Sequence, residues 1–158
     1  MKRDFAFAVK AIIIKEDRFL VLHRSPEEIE SSILNKHEAW DLPGGGVHFF
    51  ETTERALFRE VKEETSIKVR LIKLMNAYDA IRTALHLVIL TYICQYTDGD
   101  VALSNEHDRF YWLTLNEMQE MNLPHWMIRD FRNATEELMN IANLEKIEQK
   151  NFYINPTL

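Results

Sequence analysis

Three glutamates with helical spacing are the most chemically informative group in this sequence. Glu60, Glu63 and Glu64 lie at positions i, i+3 and i+4 of a segment whose apolar period predicts a helix over residues 52–65. That spacing puts the three carboxylates on one helix face, where like charges repel by roughly a few tenths of a kcal/mol per pair. The group is therefore either a solvated acidic stripe or a site for a cation that offsets the repulsion.

A glycine-rich turn precedes this helix and favours the cation site over the solvated stripe. Residues 40–46 read Trp-Asp-Leu-Pro-Gly-Gly-Gly and contain three of the four glycines of the chain. Carboxylates from a helix and a backbone carbonyl from such a turn form an all-oxygen ligand set, which suits Mg²⁺ or Mn²⁺. These ions commonly hold substrate phosphates as well, so the pairing predicts phosphate chemistry.

The turn and the helix together resemble the Nudix box, the signature of a family of hydrolases. The family pattern is G-x5-E-x7-R-E-U-x-E-E-x-G-U, in which U is an apolar residue. This sequence departs from the pattern at one defined position, where Ser66 replaces the final glycine. The matching positions are Gly45, Glu51, Arg59, Glu60, Val61, Glu63, Glu64 and Ile67.

The resemblance implies a role for each of these residues. Glu51 would support the loop, and Arg59 would orient the acidic residues by pairing with them. Gly45 would let the backbone approach a metal-bound phosphate of the substrate, because it has no Cβ. The metal, Mg²⁺ or Mn²⁺ in its place, would be bound by Glu60, Glu63, Glu64 and the backbone carbonyl of Gly44.

Ser66 stands where the family glycine follows the helix, a place that often requires a positive φ. A non-glycine residue in the left-handed region costs roughly 1 kcal/mol or more, so this serine either bears that cost or adopts a different turn. None of the acidic residues of the box is altered. We therefore expect the replacement to affect the geometry of the loop more than catalysis.

The implied activity is hydrolysis of a diphosphate linkage by attack of water at phosphorus. The substrate would be a nucleoside di- or triphosphate, or a nucleoside diphosphate joined to another moiety that the box does not identify. A carboxylate must accept the proton of the water, and Glu60 is the first choice for this general base. Glu106, in a polar segment outside the box, is the alternative as base or extra metal ligand, unless it is an ordinary solvated loop acid.

Other residues are candidates for contacts with the substrate. Arg24 and Lys36 lie before the glycine turn, where they either meet phosphates or stay in solvent. Phe49, beside Phe50 in the loop of the box, either stacks on a nucleobase or covers an apolar patch. His107 follows Glu106 and could touch a phosphate, although a single histidine is more often structural.

Two other functions are the alternatives to hydrolysis. A nucleotide sensor that binds without cleaving usually lacks box acids or carries a DNA-binding extension, whereas this chain has intact acids and no basic appendage. An isomerase of prenyl diphosphates would use a catalytic cysteine and a degenerate box. Cys94 is the only cysteine, and its apolar surroundings in the sequence predict that it is buried.

The elements that must position these residues follow from the periodicity of the chain. β-Prone runs at residues 5–14 and 19–23 predict a hairpin, and further strands are expected at 67–74, 84–96 and 110–113. Beyond about residue 115 the pattern is helical, with Thr114 and Glu117 as a capping box. We expect a fold of the α/β class, an α/β/α sandwich around a mixed β-sheet, which the resemblance identifies as a Nudix fold with its catalytic loop and helix.

Composition and charge narrow the class of protein. The 158 residues carry 19 Lys+Arg and 25 Asp+Glu, a net charge of −6, and are 46% hydrophobic. These values are typical of a globular protein and predict a single domain over residues 1–158, with a helical C-terminal segment from about residue 115. The negative charge disfavours nucleic acid as a partner, because phosphate backbones attract Lys and Arg clusters.

The expected compartment and partners follow from the cysteine count and the apolar runs. A single cysteine excludes an intrachain disulfide and favours a reducing, cytoplasmic setting. The apolar run at residues 11–14 is too short for a signal peptide or a membrane span, so no membrane partner is expected. A small nucleotide is the expected ligand. The sequence leaves the oligomeric state open. The resemblance implies that a homodimer is possible, because proteins of this family often form dimers.

Overall fold

The computed structural model describes residues 4–32 and 37–154, with side chains described up to residue 150. It contains six strands and four helices in these ranges. In chain order they are β1 (Asp4–Lys15), β2 (Arg18–Arg24), α1 (Pro26–Ser31), β3 (Trp40–Asp41), α2 (Thr53–Thr65), β4 (Lys68–Ile81), β5 (Leu85–Asp98), β6 (His107–Leu113), α3 (Leu115–Glu120) and α4 (His125–Ile154).

The strands form one mixed sheet in the order β3-β2-β1-β5-β4, with β6 paired to β2. β1 and β5 run parallel from the pair Asp4 and Leu85 to the pair Ile14 and Gln95. The other pairings are antiparallel, including the predicted hairpin between β1 and β2. The mixed sheet expected from the sequence is therefore confirmed.

Helices cover both faces of the sheet, because apolar side chains of the strands point to both faces. On one face Ala11 and Ile13 of β1 pack with Leu57 and Val61 of α2. On the other face Ile12 belongs to a cluster with residues of α3 and α4. That cluster includes Phe19, Met118, Met127 and Phe131. The α/β/α sandwich predicted from the order of elements is confirmed.

Capping residues define the ends of the helices near the site. The Thr52 hydroxyl accepts a hydrogen bond from the backbone N–H of Arg55 at the start of α2. Ser66 ends α2 in the left-handed region, with φ of 63°, and its N–H donates to the Lys62 carbonyl. Serine thus bears the conformation that favours glycine and does not adopt a different turn. The predicted capping box of Thr114 and Glu117 is present at the start of α3.

Several strand boundaries differ from the predictions, and one helix was not predicted. β6 begins at His107, three residues before the predicted start. β4 extends to Ile81, beyond the predicted end at residue 74, because the ladder with β5 continues as far as the pair Ile81 and His86. The C-terminal half of β4 is largely exposed. Its sequence therefore lacks the apolar alternation that is typical of a strand covered on one face. The segment 25–39, read as a polar excursion, contains the short helix α1. In the described ranges no helix is long and apolar enough to cross a membrane.

Candidate active site

A cleft of about 390 Å³ opens on the α4 face of the sheet. Its floor is formed by residues of β1 and β5, and the glycine turn forms one wall. The polar residues around it come from elements far apart in sequence. They include Lys10, Arg24, Asp41, Glu64, Glu106, His107 and Asp130.

The glycine turn is held against β1 by backbone hydrogen bonds. The N–H of Ala11 donates to the Pro43 carbonyl at 2.8 Å, and the N–H of Val9 donates to the Gly45 carbonyl at 2.9 Å. Gly44 has φ of 145°, and a Cβ there would lie 2.0 Å from the Val9 carbonyl oxygen. Only glycine fits this close approach of two backbone segments.

Glu64 is buried beneath the turn. Only 3% of this residue is exposed, and its Oε2 accepts a hydrogen bond of 2.9 Å from the backbone N–H of Gly44. Burial raises the pKa of the Glu64 carboxyl to about 8, although the charge of Lys10 and the Gly44 N–H act in the opposite direction. The C-terminal half of α2 thus presents one of its carboxylates directly to the cleft.

Lys10 is a cation inside this cleft that sequence reasoning did not place at the site. Its Nζ donates to Asp41 Oδ1 at 2.7 Å, to the Leu42 carbonyl at 3.0 Å and to the Gly44 carbonyl at 3.3 Å. Burial acts to lower the pKa of Lys10, but the charges of Asp41 and Glu64 outweigh it and raise the pKa above its ordinary value. Burial likewise acts to raise the pKa of Asp41, and the charge of Lys10 lowers it to about 2.

Arg59 holds the loop of the box and two of its acids together. Its Nε and Nη2 donate to the two oxygens of Glu51, each at 2.9 Å, and Nη2 also donates to the Gly46 carbonyl. Its Nη1 donates to Glu60 at 2.6 Å and to Glu63 at 3.3 Å. Hydrogen bonds from Arg59 and from the backbone of His48 lower the pKa of Glu51 to about 2. This geometry supports the predicted orienting role of Arg59.

The three acids of the helix face do not all reach the cleft. Of the three, only Glu64 lines the cleft, where it is joined by Glu106 from outside the helix. Glu60 lies against Gly45, and Glu63 is a surface residue paired with Arg59. Within residues 4–32 and 37–154 no group of three or more His, Cys, Asp or Glu side chains is gathered closely enough to hold a metal ion. The arrangement instead pairs Glu60 and Glu63 with the guanidinium of Arg59.

The other predicted contacts divide between the cleft and the surface. Gly45 lines the cleft, and so does Arg24, whose guanidinium donates to the carbonyls of Glu38 and Glu28. Phe49 is 87% exposed and does not line the cleft. Lys36 lies outside the described residues.

His107 is a buried histidine at the wall of the cleft. Neither ring nitrogen has a hydrogen-bond partner, and Nε2 lies 3.7 Å from Asp41 Oδ2. The sequence singled out this histidine only weakly, since its burial depends on the pairing of β6 with β2. For Lys10 a signal existed, because a charged residue interrupts an otherwise apolar strand.

Cys94 is fully buried in the core on the α2 side, as predicted. Burial raises the pKa of its thiol to about 12, so the thiolate that would be needed for nucleophilic or acid-base work is strongly disfavoured. The thiol is not among the groups that line the cleft. These observations argue against the isomerase interpretation.

The chain is similar in sequence to a known domain family and to several characterised proteins. The model of the NUDIX domain matches residues 4–134. A MutT-like protein from Streptomyces ambofaciens is 31% identical over 77% of this chain and 72% of its own length. An ADP-ribose pyrophosphatase from Methanocaldococcus jannaschii is 26% identical over 80% of this chain and 72% of its own length.

A solved structure shows the same architecture. The MutT protein from Methanosarcina mazei superposes with a TM-score of 0.69 at 30% identity, covering 87% of this chain and 97% of that one. The domain match extends from β1 into α4, so it includes the glycine turn, α2 and the cleft. This chain therefore belongs to the Nudix family and is a Nudix hydrolase.

Proposed function

We propose that this protein hydrolyses a diphosphate linkage in a nucleoside di- or triphosphate, or in a nucleoside diphosphate joined to another moiety. The observation that carries the proposal is the meeting of the glycine turn with the carboxylates of Glu64 and Glu106 in one cleft. The similarity to an ADP-ribose pyrophosphatase supports a nucleoside diphosphate derivative as the substrate class. A small nucleotide is thus the proposed ligand.

The donor groups match a hard divalent cation in chemistry, because all of them are oxygens. In this structure Glu64 and Glu106 line the cleft, while Glu60 and Glu63 pair with Arg59 and would have to turn toward the cation. Glu60, Glu63, Glu64, Glu106 and the Gly44 carbonyl would hold Mg²⁺, or Mn²⁺ in its place. When bound, the cation would neutralise phosphate charge and make water a better nucleophile. The chain supplies the rest of the environment. Arg59 keeps Glu60 in position, and the Gly44 N–H orients Glu64.

Proton removal from the attacking water requires a carboxylate that faces the substrate. Glu106 lines the cleft, whereas the Glu60 carboxylate lies against Gly45 and is engaged by Arg59 at 2.6 Å. We therefore assign the general base to Glu106 in preference to Glu60. Gly45 and Arg24 would face the phosphates from the glycine turn and from the end of β2.

We also propose that the chain forms one domain, lies in the cytoplasm and has no nucleic-acid partner. Residues 1–158 would form a single domain, since α3 and α4 from Leu115 onward pack into the same core as β1 and β2. A cytoplasmic location is supported by the single buried cysteine. The net charge of −6 supports the absence of nucleic-acid partners.

The test is a panel of nucleoside triphosphates and nucleoside diphosphate derivatives incubated with Mg²⁺, with detection of released phosphate or nucleoside monophosphate. We expect turnover of at least one compound and its loss in EDTA. Glu63→Gln and Glu64→Gln should each abolish most of it, and Glu54→Gln should not, since Glu54 is an exposed acid of the same helix.

Glu106→Gln then tests the choice of base. Loss of roughly 100-fold or more in kcat, with little change in nucleotide binding, is the expected result. Unchanged turnover would remove Glu106 from the site and return the role to Glu60. If no diphosphate compound is hydrolysed while a nucleotide still raises the melting temperature, the protein is a sensor and the proposal is wrong.

A further inference from the structure

The cleft has two ends of different chemical character. Glu64, Glu106 and the glycine turn form a polar end. Glu106 directly precedes β6, which pairs with β2 on one side of β1, whereas Leu87 and Ile89 belong to β5 on the other side of β1. Both of these β5 side chains line the cleft, so its floor is apolar there. We call this part of the cleft the β5 end.

Two aromatic side chains stand around the apolar floor. Tyr78 of β4 lies opposite Ile89 in the sheet and lines the cleft. Trp126 of α4 lines it as well, and its indole N–H donates to Glu38 Oε2 at 3.3 Å. That hydrogen bond fixes the indole in place and occupies its only donor. Aromatic faces over an apolar floor form a surface that suits a flat heteroaromatic ring.

Asp130 is a buried carboxylate beside this surface. It follows Trp126 by one turn of α4 and therefore lies on the same helix face, and it lines the cleft. Its side chain is only 8% exposed. Oδ1 accepts hydrogen bonds of 3.1 and 3.0 Å from Nε and Nη2 of Arg129, whereas Oδ2 has no hydrogen-bond partner among residues 4–32 and 37–150.

The electrostatics place Asp130 near the phenol of Tyr78. Partial burial raises the pKa of Tyr78, Lys10 acts to lower it, and Asp130 acts to raise it again. A buried acceptor without a partner costs free energy, so Oδ2 calls for a hydrogen-bond donor from whatever fills the cleft. The β5 end thus offers two aromatic faces, an apolar floor and one acceptor.

We propose that Asp130 determines nucleobase specificity and selects bases that carry an exocyclic amino group, namely adenine, cytosine and guanine. This inference rests on the proposed function, in which the phosphates occupy the polar end. The base would lie on the apolar floor between Tyr78 and Trp126, with its amino group donating to Asp130 Oδ2. An ionised carboxylate only accepts hydrogen bonds, and Asp or Glu is a known acceptor for the amino group of cytosine.

Bases with a carbonyl in place of the amino group would be rejected. Uracil and hypoxanthine would bring a carbonyl oxygen against the carboxylate, which pairs two acceptors and leaves Oδ2 without a donor. The ring N–H of these bases lies beside that carbonyl, so its approach to Asp130 brings the carbonyl close as well. A site built for a hydrogen bond discriminates strongly against an analogue that lacks it.

The chemistry of the β5 end favours a base over the other parts of such a substrate. A phosphate there would meet the negative charge of Asp130, without the cation expected at the polar end. A sugar could donate to Asp130 but would place its other hydroxyls against Leu87 and Ile89, where they find no partner. A flat base satisfies both the acceptor and the apolar floor.

The experiment is isothermal titration calorimetry of the full chain with Mg²⁺ and four nucleoside monophosphates, AMP, IMP, CMP and UMP. These compounds have no diphosphate linkage, so the proposed reaction does not consume them. Each of the pairs AMP/IMP and CMP/UMP exchanges an amino group for a carbonyl. We expect the amino member of each pair to bind at least about tenfold more tightly.

Asp130→Asn should abolish the difference within each pair, because an amide of the same shape both donates and accepts. Glu136→Gln is the matched control, since it removes the same charge from an exposed acid of the same helix, and it should leave both differences unchanged. Trp126→Leu keeps an apolar side chain but loses the aromatic face. It should weaken all four nucleotides at least about fivefold and preserve the preference within each pair.

Melting temperatures without nucleotide show whether each variant is folded. Equal affinities within the pairs for the wild type would overturn the proposal, as would tighter binding of IMP and UMP. So would a preference that survives in a folded Asp130→Asn, a preference lost in Glu136→Gln, or no binding of any of the four at millimolar concentrations. Failure to hydrolyse any diphosphate compound would instead overturn the proposed function and leave the binding preferences as measured.

Discussion

The ammonium of Lys10 lies 2.7 Å from Asp41 Oδ1, which makes an ion pair between the centre of β1 and the end of β3, at the start of the glycine turn. Both side chains are about one-fifth exposed, so solvent screens the pair only in part. The same ammonium donates to the carbonyls of Leu42 and Gly44. The position of the turn over Glu64 therefore depends on a cation from the neighbouring strand.

The first prediction concerns stability in acid. The folded pKa of Asp41, about 2, lies below its ordinary value of 3.8, so its contribution is complete above about pH 4 and is lost as the pH falls through 2. The contribution is about 2 kcal/mol, since one pKa unit corresponds to about 1.4 kcal/mol. Lys10→Met should remove most of it and also leave a partly buried carboxylate without its cation, with a total loss of roughly 3 kcal/mol at neutral pH.

Melting temperatures of both proteins between about pH 2 and pH 7 check this prediction. The difference between wild type and Lys10→Met should shrink as the pH falls. Lys68→Met is the control, because Lys68 and Asp98 form a 3.8 Å pair that is largely exposed, and its curve should follow the wild type. Superimposable curves for Lys10→Met and wild type would contradict the prediction.

Arg59→Lys should impair the site without changing its charge. A lysine cannot donate to both oxygens of Glu51 and at the same time reach the Gly46 carbonyl and Glu60. We expect a loss of about 1 to 3 kcal/mol in stability and of at least about tenfold in kcat. Denaturant unfolding and steady-state kinetics measure the two effects. Full activity in Arg59→Lys would show that charge alone suffices.

Gly44→Ala and Gly46→Ala form a matched pair within one turn. A Cβ on Gly44 would lie 2.0 Å from the Val9 carbonyl at a φ of 145°, whereas a Cβ on Gly46 would meet nothing within 4 Å. We expect Gly44→Ala to cost about 3 kcal/mol or more, because two backbone segments must separate. Gly46→Ala should change stability by less than about 0.5 kcal/mol. Equal melting temperatures for the two variants would refute this account of the turn.

Ser66→Gly should stabilise the protein. Ser66 has φ of 63° at the end of α2, where glycine avoids a cost of roughly 1 kcal/mol. The hydrogen bond from its hydroxyl to the Ala102 carbonyl is exposed and 3.3 Å long, so its loss offsets little of this gain. Thermal unfolding should show a higher melting temperature with turnover unchanged. A large gain in turnover would mean that serine distorts the site.

Much of α2, the helix of the box, could be predicted from local sequence. The spacing of Glu60, Glu63 and Glu64 required a helix, and Thr52 and Ser66 mark its ends within a residue of the predicted bounds. The pairing of Arg59 with Glu63 follows from their separation by one turn. These features depend on residues close in the chain, so a linear pattern determines them.

The composition of the cleft depended on contacts between distant segments. Lys10 reaches the site because the glycine turn pairs with β1, about thirty residues earlier in the chain. Asp41, Glu106 and His107 come together with Glu64 because β3 and β6 both pair with β2. Short-range periodicity in the sequence cannot predict these pairings, because they join segments that are far apart in the chain.

The sequence by itself determined the family, the helix of the box and the residue types available for phosphate chemistry, since these lie in one continuous motif. Tertiary structure alone decided which acids face the cleft, that Lys10 supplies a cation there, and that Phe49 faces outward rather than into the site. The physical reason is that orientation and burial are set by strand pairing and by the approach of backbone segments such as Val9 and Gly44.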